Sequence, residues 1–156
     1  YRLTDRGAAE LSRAFSITEL KLQSHSMTDM GLQALGRVNR LERLTVVSDQ
    51  VTGSGLGPLA RLPQLRDLSL VTAGLADVAF DYLSQARSVQ KLRLAHRGHR
   101  PPAALTDEGL AKMAQATWLQ ELWLPRNDTG ITEEKINELK ALMPKTEVIA
   151  YTVEWE

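Results

Sequence analysis

The 156-residue chain contains no cysteine. That absence excludes a disulfide scaffold, a thiolate metal site and a cysteine nucleophile together. No apolar run approaches the ~18 residues a membrane-spanning helix needs. Aromatic residues are sparse at 5%, and neither charge sign dominates, with nineteen Lys and Arg against nineteen Asp and Glu. A net charge of zero excludes a uniformly basic nucleic-acid binder and an acidic tail-like chain, but not a local patch. What remains is 43% hydrophobic, enough at this length for one domain to bury its own core. The chain begins at Tyr1 without an initiator Met, which leaves cytoplasmic and extracytoplasmic locations both open.

Self-similarity at a fixed period is what the sequence has in abundance. Leu3-Thr4-Asp5-Arg6-Gly7 recurs as Met27-Thr28-Asp29-Met30-Gly31 and Val51-Thr52-Gly53-Ser54-Gly55. It continues as Leu75-Ala76-Asp77-Val78-Ala79, Leu105-Thr106-Asp107-Glu108-Gly109 and Ile131-Thr132-Glu133-Glu134-Lys135, in steps of 24, 24, 24, 30 and 26 residues. A second pattern runs in phase: Leu20-Lys21-Leu22, Leu44-Thr45-Val46, Leu68-Ser69-Leu70, Leu92-Arg93-Leu94 and Leu122-Trp123-Leu124. Its alternation predicts half-buried strands. The other half of each unit predicts a helix. Thr28 or Asp29 caps the orphan N–H groups of a first turn. Leu32, Leu35 and Val38, then Leu56, Leu59 and Leu62, and later Ile136, Leu139 and Leu142 keep one apolar stripe inward. Gly31, Gly55 and Gly109 share a first-turn position where a missing Cβ permits close approach of the neighbouring unit. A strand–turn–helix unit of this kind cannot bury its own face, so it stacks on copies of itself.

The L-x-x-L-x-L segment followed by L-T-D-x-G-L-x-x-L resembles the leucine-rich-repeat family, and most closely its bacterial ribonuclease-inhibitor-like repeats. The likeness covers nearly the whole chain. One departure is that Ser24, Ser48 and Thr72 stand where many family members carry Asn or Cys after the strand, so hydroxyls must satisfy the turn backbone. The resemblance implies an α/β leucine-rich-repeat solenoid: a short right-handed horseshoe with a parallel sheet on its concave face and helices on its convex face. Residues 1–156 then form one domain, with a partial repeat over 1–16, five repeats over 17–146 and a capping strand over 147–156. Residues 3–16 match only the helical half of a unit, as in a fragment of a longer protein or a solenoid that has lost a cap. At the other end Ile149 and Tyr151 are expected at core positions of a sixth strand. The alternation runs on through Val153 and Trp155, with Glu154 and Glu156 discouraging edge pairing.

In-register strands place equivalent residues ~4.8 Å apart, so the outward positions read as rows. The first is Glu19, Arg43, Asp67, Lys91, Glu121, alternating in sign, and it predicts a ladder of cross-strand ion pairs. The second is Lys21, Thr45, Ser69, Arg93, Trp123. The third, Gln23, Val47, Val71, Ala95, Pro125, is less polar. Trp and Arg are enriched at binding hot spots. Arg93, Trp123, Val71, Ala95 and Pro125 are therefore the candidate partner contacts, set against a reading in which turns fold over the small apolar residues and bury them.

The fourth unit makes the one large break in the period, by six residues within His96 to Ala104. Residues 85–104 carry Arg87, Lys91, Arg93, Arg97 and Arg100 and no acid. Arg97 and Arg100 are a second candidate contact, for an acidic protein surface or another anion, or else they keep a solvated loop soluble. His96 and His99 make no metal site with His25, which lies roughly 14 Å away along the stack. No G-x-S-x-G elbow occurs, and Gly53-Ser54-Gly55-Leu56-Gly57 lacks the Lys of a phosphate loop. Paired acids such as Asp107-Glu108 are explained by helix starts.

No catalytic, cofactor-binding or metal residue is therefore expected. The resemblance implies a non-catalytic module that presents a rigid concave sheet to a protein partner, without a membrane. Nucleic acid is disfavoured, because no aromatics interleave with the basic residues. The alternatives are a structural segment of a larger repeat protein, and anion or glycan binding through the basic loop. The zero net charge hides a gradient. Residues 1–104 hold fourteen basic and nine acidic side chains, and residues 105–156 hold five and ten.

Overall fold

A computed structural model describes residues 3–13, 16–97, 103–126 and 129–152. The protein is α/β, built on a six-stranded parallel sheet that does not close into a barrel. Its strands are β1 (Glu19–Gln23), β2 (Arg43–Ser48), β3 (Asp67–Thr72), β4 (Lys91–His96), β6 (Glu121–Pro125) and β8 (Glu147–Tyr151). They lie side by side in chain order. Two short strands, β5 (Ala103–Thr106) and β7 (Thr129–Gly130), pair separately. Register follows the repeat: Leu20, Leu44, Leu68, Leu92 and Leu122 face one another from strand to strand. Leu44, Leu68, Leu92 and Leu122 are at most 2% exposed, and the apolar stripes of the intervening helices close over them, except that Leu142, expected in the last stripe with Ile136 and Leu139, is 54% exposed. Those helices are α1 (Asp5–Leu11), α2 (Asp29–Leu35), α3 (Val78–Leu83), α4 (Asp107–Ala111) and α5 (Glu133–Leu142).

Two polar devices tie successive units together, each at several of the joints. The first uses the hydroxyls after the strands. Ser48 Oγ donates to the Met27 carbonyl at 2.6 Å, Thr72 Oγ1 donates to the Val51 carbonyl at 2.6 Å, and Ser24 Oγ donates likewise to Leu3. Each oxygen also accepts from the turn that follows, from Met27 N–H at 3.1 Å, Gln50 N–H at 3.3 Å and Gly74 N–H at 3.2 Å. Each buried hydroxyl thus satisfies backbone groups of two successive units.

The second device corrects an expectation. Thr28 does cap its own helix, its Oγ1 accepting from Met30 N–H at 3.2 Å. The Asp beside it serves the next unit instead. Asp5 accepts from Thr28 N–H (2.8 Å), Thr28 Oγ1 (2.8 Å) and Gly31 N–H (3.0 Å). Asp29 accepts from Thr52 Oγ1 (2.7 Å) and from the N–H groups of Thr52 (3.1 Å), Gly53 (3.0 Å) and Gly55 (3.0 Å). Asp77 and Asp107 hold Thr106 and Thr132 in the same way. Burial alone would raise the Asp29 pKa, but the hydrogen bonds from Thr52, Gly55 and Gly53 outweigh it and hold the carboxyl below its ordinary value. First-turn glycines make the room: a Cβ on Gly109 would fall 2.1 Å from Asp77 Oδ1, and one on Gly31 2.7 Å from Asp5 Oδ1.

Three further expectations are corrected. Leu56, Leu59 and Leu62 are buried as the stripe requires, but only Leu59–Arg61 is helical, as a single 3-10 turn after Gly53, Gly55, Gly57 and Pro58. Glycine entropy disfavours a longer helix there. The last strand is one residue out of the expected phase. Val148 and Ala150 face Leu122 and Leu124, whereas Ile149 and Tyr151 face Trp123 and Pro125 on the opposite side. A one-residue shift exchanges the two faces of a strand. The inserted segment is also less of a loop than expected, since His96 ends β4 and Ala103 and Ala104 belong to β5. Val153, Glu154, Trp155 and Glu156 lie outside the described residues.

Candidate interaction surface

The sheet face turned away from the helices carries the outward rows. Between them lies a shallow depression of about 520 Å³, lined along its length by residues of β1 to β4 and β6. In the first row Arg43 Nη2 sits 2.6 Å from Glu19, and Lys91 Nζ sits 2.6 Å from Glu121. Hydrogen bonding and then the charge of Arg43 lower the Glu19 pKa, and the bond from Lys91, then that from the Trp123 indole, lowers that of Glu121. The bonds to Glu19 and Glu121 raise Arg43 and Lys91 correspondingly. The expected continuous ladder is therefore two separate pairs. Asp67 stands between them with no ion pair to a described residue. Alternation ends at β8, where Glu147 lies beside Glu121.

In the second row the Arg93 guanidinium lies over the Trp123 ring, 4.5 Å from its centroid. Stacking of this kind contributes about 0.5–1 kcal/mol at a solvent-accessible site, and it fixes both side chains ahead of any contact. Trp123 Nε1 donates to Glu121 Oε2 at 3.3 Å. Tyr151 meets the indole edge-on, with centroids 5.9 Å apart and planes at 69°. Its phenol donates to the Leu94 carbonyl at 2.8 Å, two strands away, and burial pushes its pKa up. Tyr151 is thus a member of this surface that the sequence reading placed in the core.

The tyrosine also explains what happens to two expected contacts. Ala95 is 6% exposed and Pro125 is buried. Tyr151 lies opposite Pro125 in register and crosses that strand to reach the carbonyl next to Ala95. Neither Ala95 nor Pro125 therefore presents a surface to a partner. The structure brings together Arg93 (exposed), Trp123 (half-buried) and Val71 (half-buried) around the depression, with Val47 beside Val71 in register.

Arg97 lies outside the depression, past the end of β4, where its N–H donates to the Thr72 carbonyl at 3.1 Å. Arg100 and His99 lie outside the described residues. His96 occupies the position held by Ser24, Ser48 and Thr72 in the preceding units. It is 3% exposed, and neither ring nitrogen has a partner among the described residues. His25, three strands from His96, pairs instead with Asp49 of the adjacent unit. Among the described residues no three His, Asp or Glu side chains are grouped to hold a metal ion, and no helix is long and apolar enough to cross a membrane. No family model and no curated protein sequence matches the chain.

Proposed function

We propose that the chain is a leucine-rich-repeat solenoid, a short horseshoe whose open sheet face is concave, and that it works as a non-catalytic protein-binding module. In-phase parallel strands with helices on one side, and the repeated hydroxyl and Asp–Thr bridges between successive units, support the architecture. The observation that carries the function is the stacked Arg93–Trp123 pair beside an open depression. A large, rigid aromatic and a planar cation, held in place before contact, lose little entropy on docking.

Affinity capture with the wild-type chain against Trp123→Ala and Arg93→Glu tests this reading, with Arg13→Glu, at an exposed position just past the end of α1, as control. A specific partner should be lost by about tenfold or more with either face variant, the scale of hot-spot truncation, and retained by the control. Equal recovery by all four chains would contradict the reading.

A further inference from the structure

Which charges on the open face are already satisfied determines what a partner must bring. Glu19–Arg43 and Lys91–Glu121 neutralise one another at the two sides of the first row. Three charges bordering the depression have no ion pair among the described residues: Lys21 on β1, Asp67 on β3 and Arg93 on β4. Read across the strands, the order is plus, minus, plus. Thr45 and Ser69 fill the second row between the two cations, so no described charge intervenes there.

Geometry then limits the complement. Lys21 and Arg93 are three strand intervals apart, roughly 14 Å. An extended peptide crossing the strands advances about 3.4 Å per residue and directs alternate side chains to one face. Residues four apart therefore span about 14 Å, with the residue midway between them on the same face. That middle residue comes down over the sheet near β2 and β3. Asp67 lies one row to the side, within reach of a lysine or arginine stem. Arg93 keeps the edge of its guanidinium for a carboxylate while its plane rests on Trp123.

We infer that the open face takes an extended polypeptide segment carrying an acid, a base and an acid at alternate positions, the acids on Lys21 and Arg93 and the base on Asp67. This rests on the protein-binding reading above and specifies its partner. A uniformly acidic segment would meet Asp67, and a basic one would meet Lys21 and Arg93. Like charges brought together at an interface reject wrong partners more strongly than matched ones reward right ones.

The probes are blocked seven-residue peptides with serine or glycine between the charged positions, titrated into the chain at low ionic strength. One has glutamates at its outer charged positions and lysine at the centre. Its charge-reversed counterpart has lysines outside and glutamate at the centre, and a third has three glutamates. The first peptide should bind about fivefold or more tighter than either of the others, the scale of one solvent-exposed charge contact. In Asp67→Lys the three-glutamate peptide should become the preferred one. Asp67→Asn should lose the discrimination at the centre only, and its unchanged circular-dichroism melt would show that the face is intact. Equal binding of the three peptides to the wild-type chain would overturn the charge pattern while leaving the open-face reading standing. Absence of binding by all three at millimolar concentration would also overturn it, and the capture experiment then judges the face itself. A preference unchanged by Asp67→Lys would remove Asp67 from the recognition.

Discussion

Gly53 and Ala76 stand in the acid and hydroxyl positions of the one described joint where the acid–hydroxyl bridge is missing, so both of its halves are missing together. At the other joints Asp5, Asp29, Asp77 and Asp107 hold the hydroxyls of Thr28, Thr52, Thr106 and Thr132. Between Gly53 and Ala76 only a backbone bond remains, from Ala76 N–H to the Thr52 carbonyl at 3.0 Å. Gly53 adopts φ 100°, and a Cβ there would fall 2.5 Å from that of Ala79. The site therefore cannot regain its acid without strain, and an unpaired threonine opposite it would have nothing to hold.

The bridges should carry measurable stability. Asp29→Ala leaves the Thr52 hydroxyl and three N–H groups without their acceptor, and should cost about 1–3 kcal/mol. Ala76→Thr, across the joint that has no acid, should change stability by less than about 0.5 kcal/mol. Urea unfolding followed by circular dichroism measures both. Equal effects would show that the bridge contributes nothing.

The same carboxylate makes stability depend on pH in a defined direction. The folded pKa of Asp29 lies below the ordinary 3.8. Its contribution is therefore complete above that value and is lost as pH falls through the lower, folded-state value. The gap in urea midpoint between wild type and Asp29→Ala should be widest near neutrality and should close in strong acid. A gap that widened on acidification would have the wrong sign.

The turn hydroxyls predict a loss of similar size by a different route. Thr72→Val preserves shape but removes the donor to the Val51 carbonyl and the acceptor for Gly74 N–H. With the carbonyl buried and the N–H partly so, the expected cost is about 1–3 kcal/mol. Native-state hydrogen exchange should then show faster exchange at Gly74 than in the wild type. Unaltered exchange there would mean that the hydroxyl is not the partner.

Tyr151 should act as a brace for the docking pair. Tyr151→Phe removes the bond to the Leu94 carbonyl and should cost about 1 kcal/mol while leaving the ring against Trp123. Tyr151→Ala should in addition uncover Ala95 and Pro125 and red-shift the tryptophan emission. An emission spectrum identical to wild type would place the tyrosine elsewhere.

These residues also mark how far the sequence could be read. The strands of the first five units were legible because Leu20-Lys21-Leu22 and its copies alternate apolar with polar. In β8, Val148, Ile149, Ala150 and Tyr151 are all apolar, so alternation carries no phase there. The charged first row, continued to Glu147 by the 26-residue step, is the signal that would have set it and found Tyr151 on the open face. Threefold leucine spacing at 56, 59 and 62 suits an α-helix and a 3-10 turn alike, so the helical stretch of that unit was overestimated. The direction of the Asp bridges was hidden because Thr and Asp are adjacent, and either one explains a capped helix. Sign alternation along Glu19, Arg43, Asp67, Lys91 and Glu121 was plain. Each cation, however, lies between two acids, and only the structure shows which one it takes. Arg93 and Trp123 could be placed on the open face because both the rows and the side-chain types could be read. The burial of Ala95 and Pro125 could not, because Tyr151, which crosses toward them, is twenty-six or more positions away in the chain.

The most direct test of the docking account is backbone NMR of the ¹⁵N-labelled chain titrated with the partner that the wild type captures. The amides of Thr45, Ser69, Arg93 and Trp123 should shift or broaden together, while those of α2 and α5 on the opposite side stay in place. Perturbations confined to α2 and α5, with the sheet rows unmoved, would contradict it.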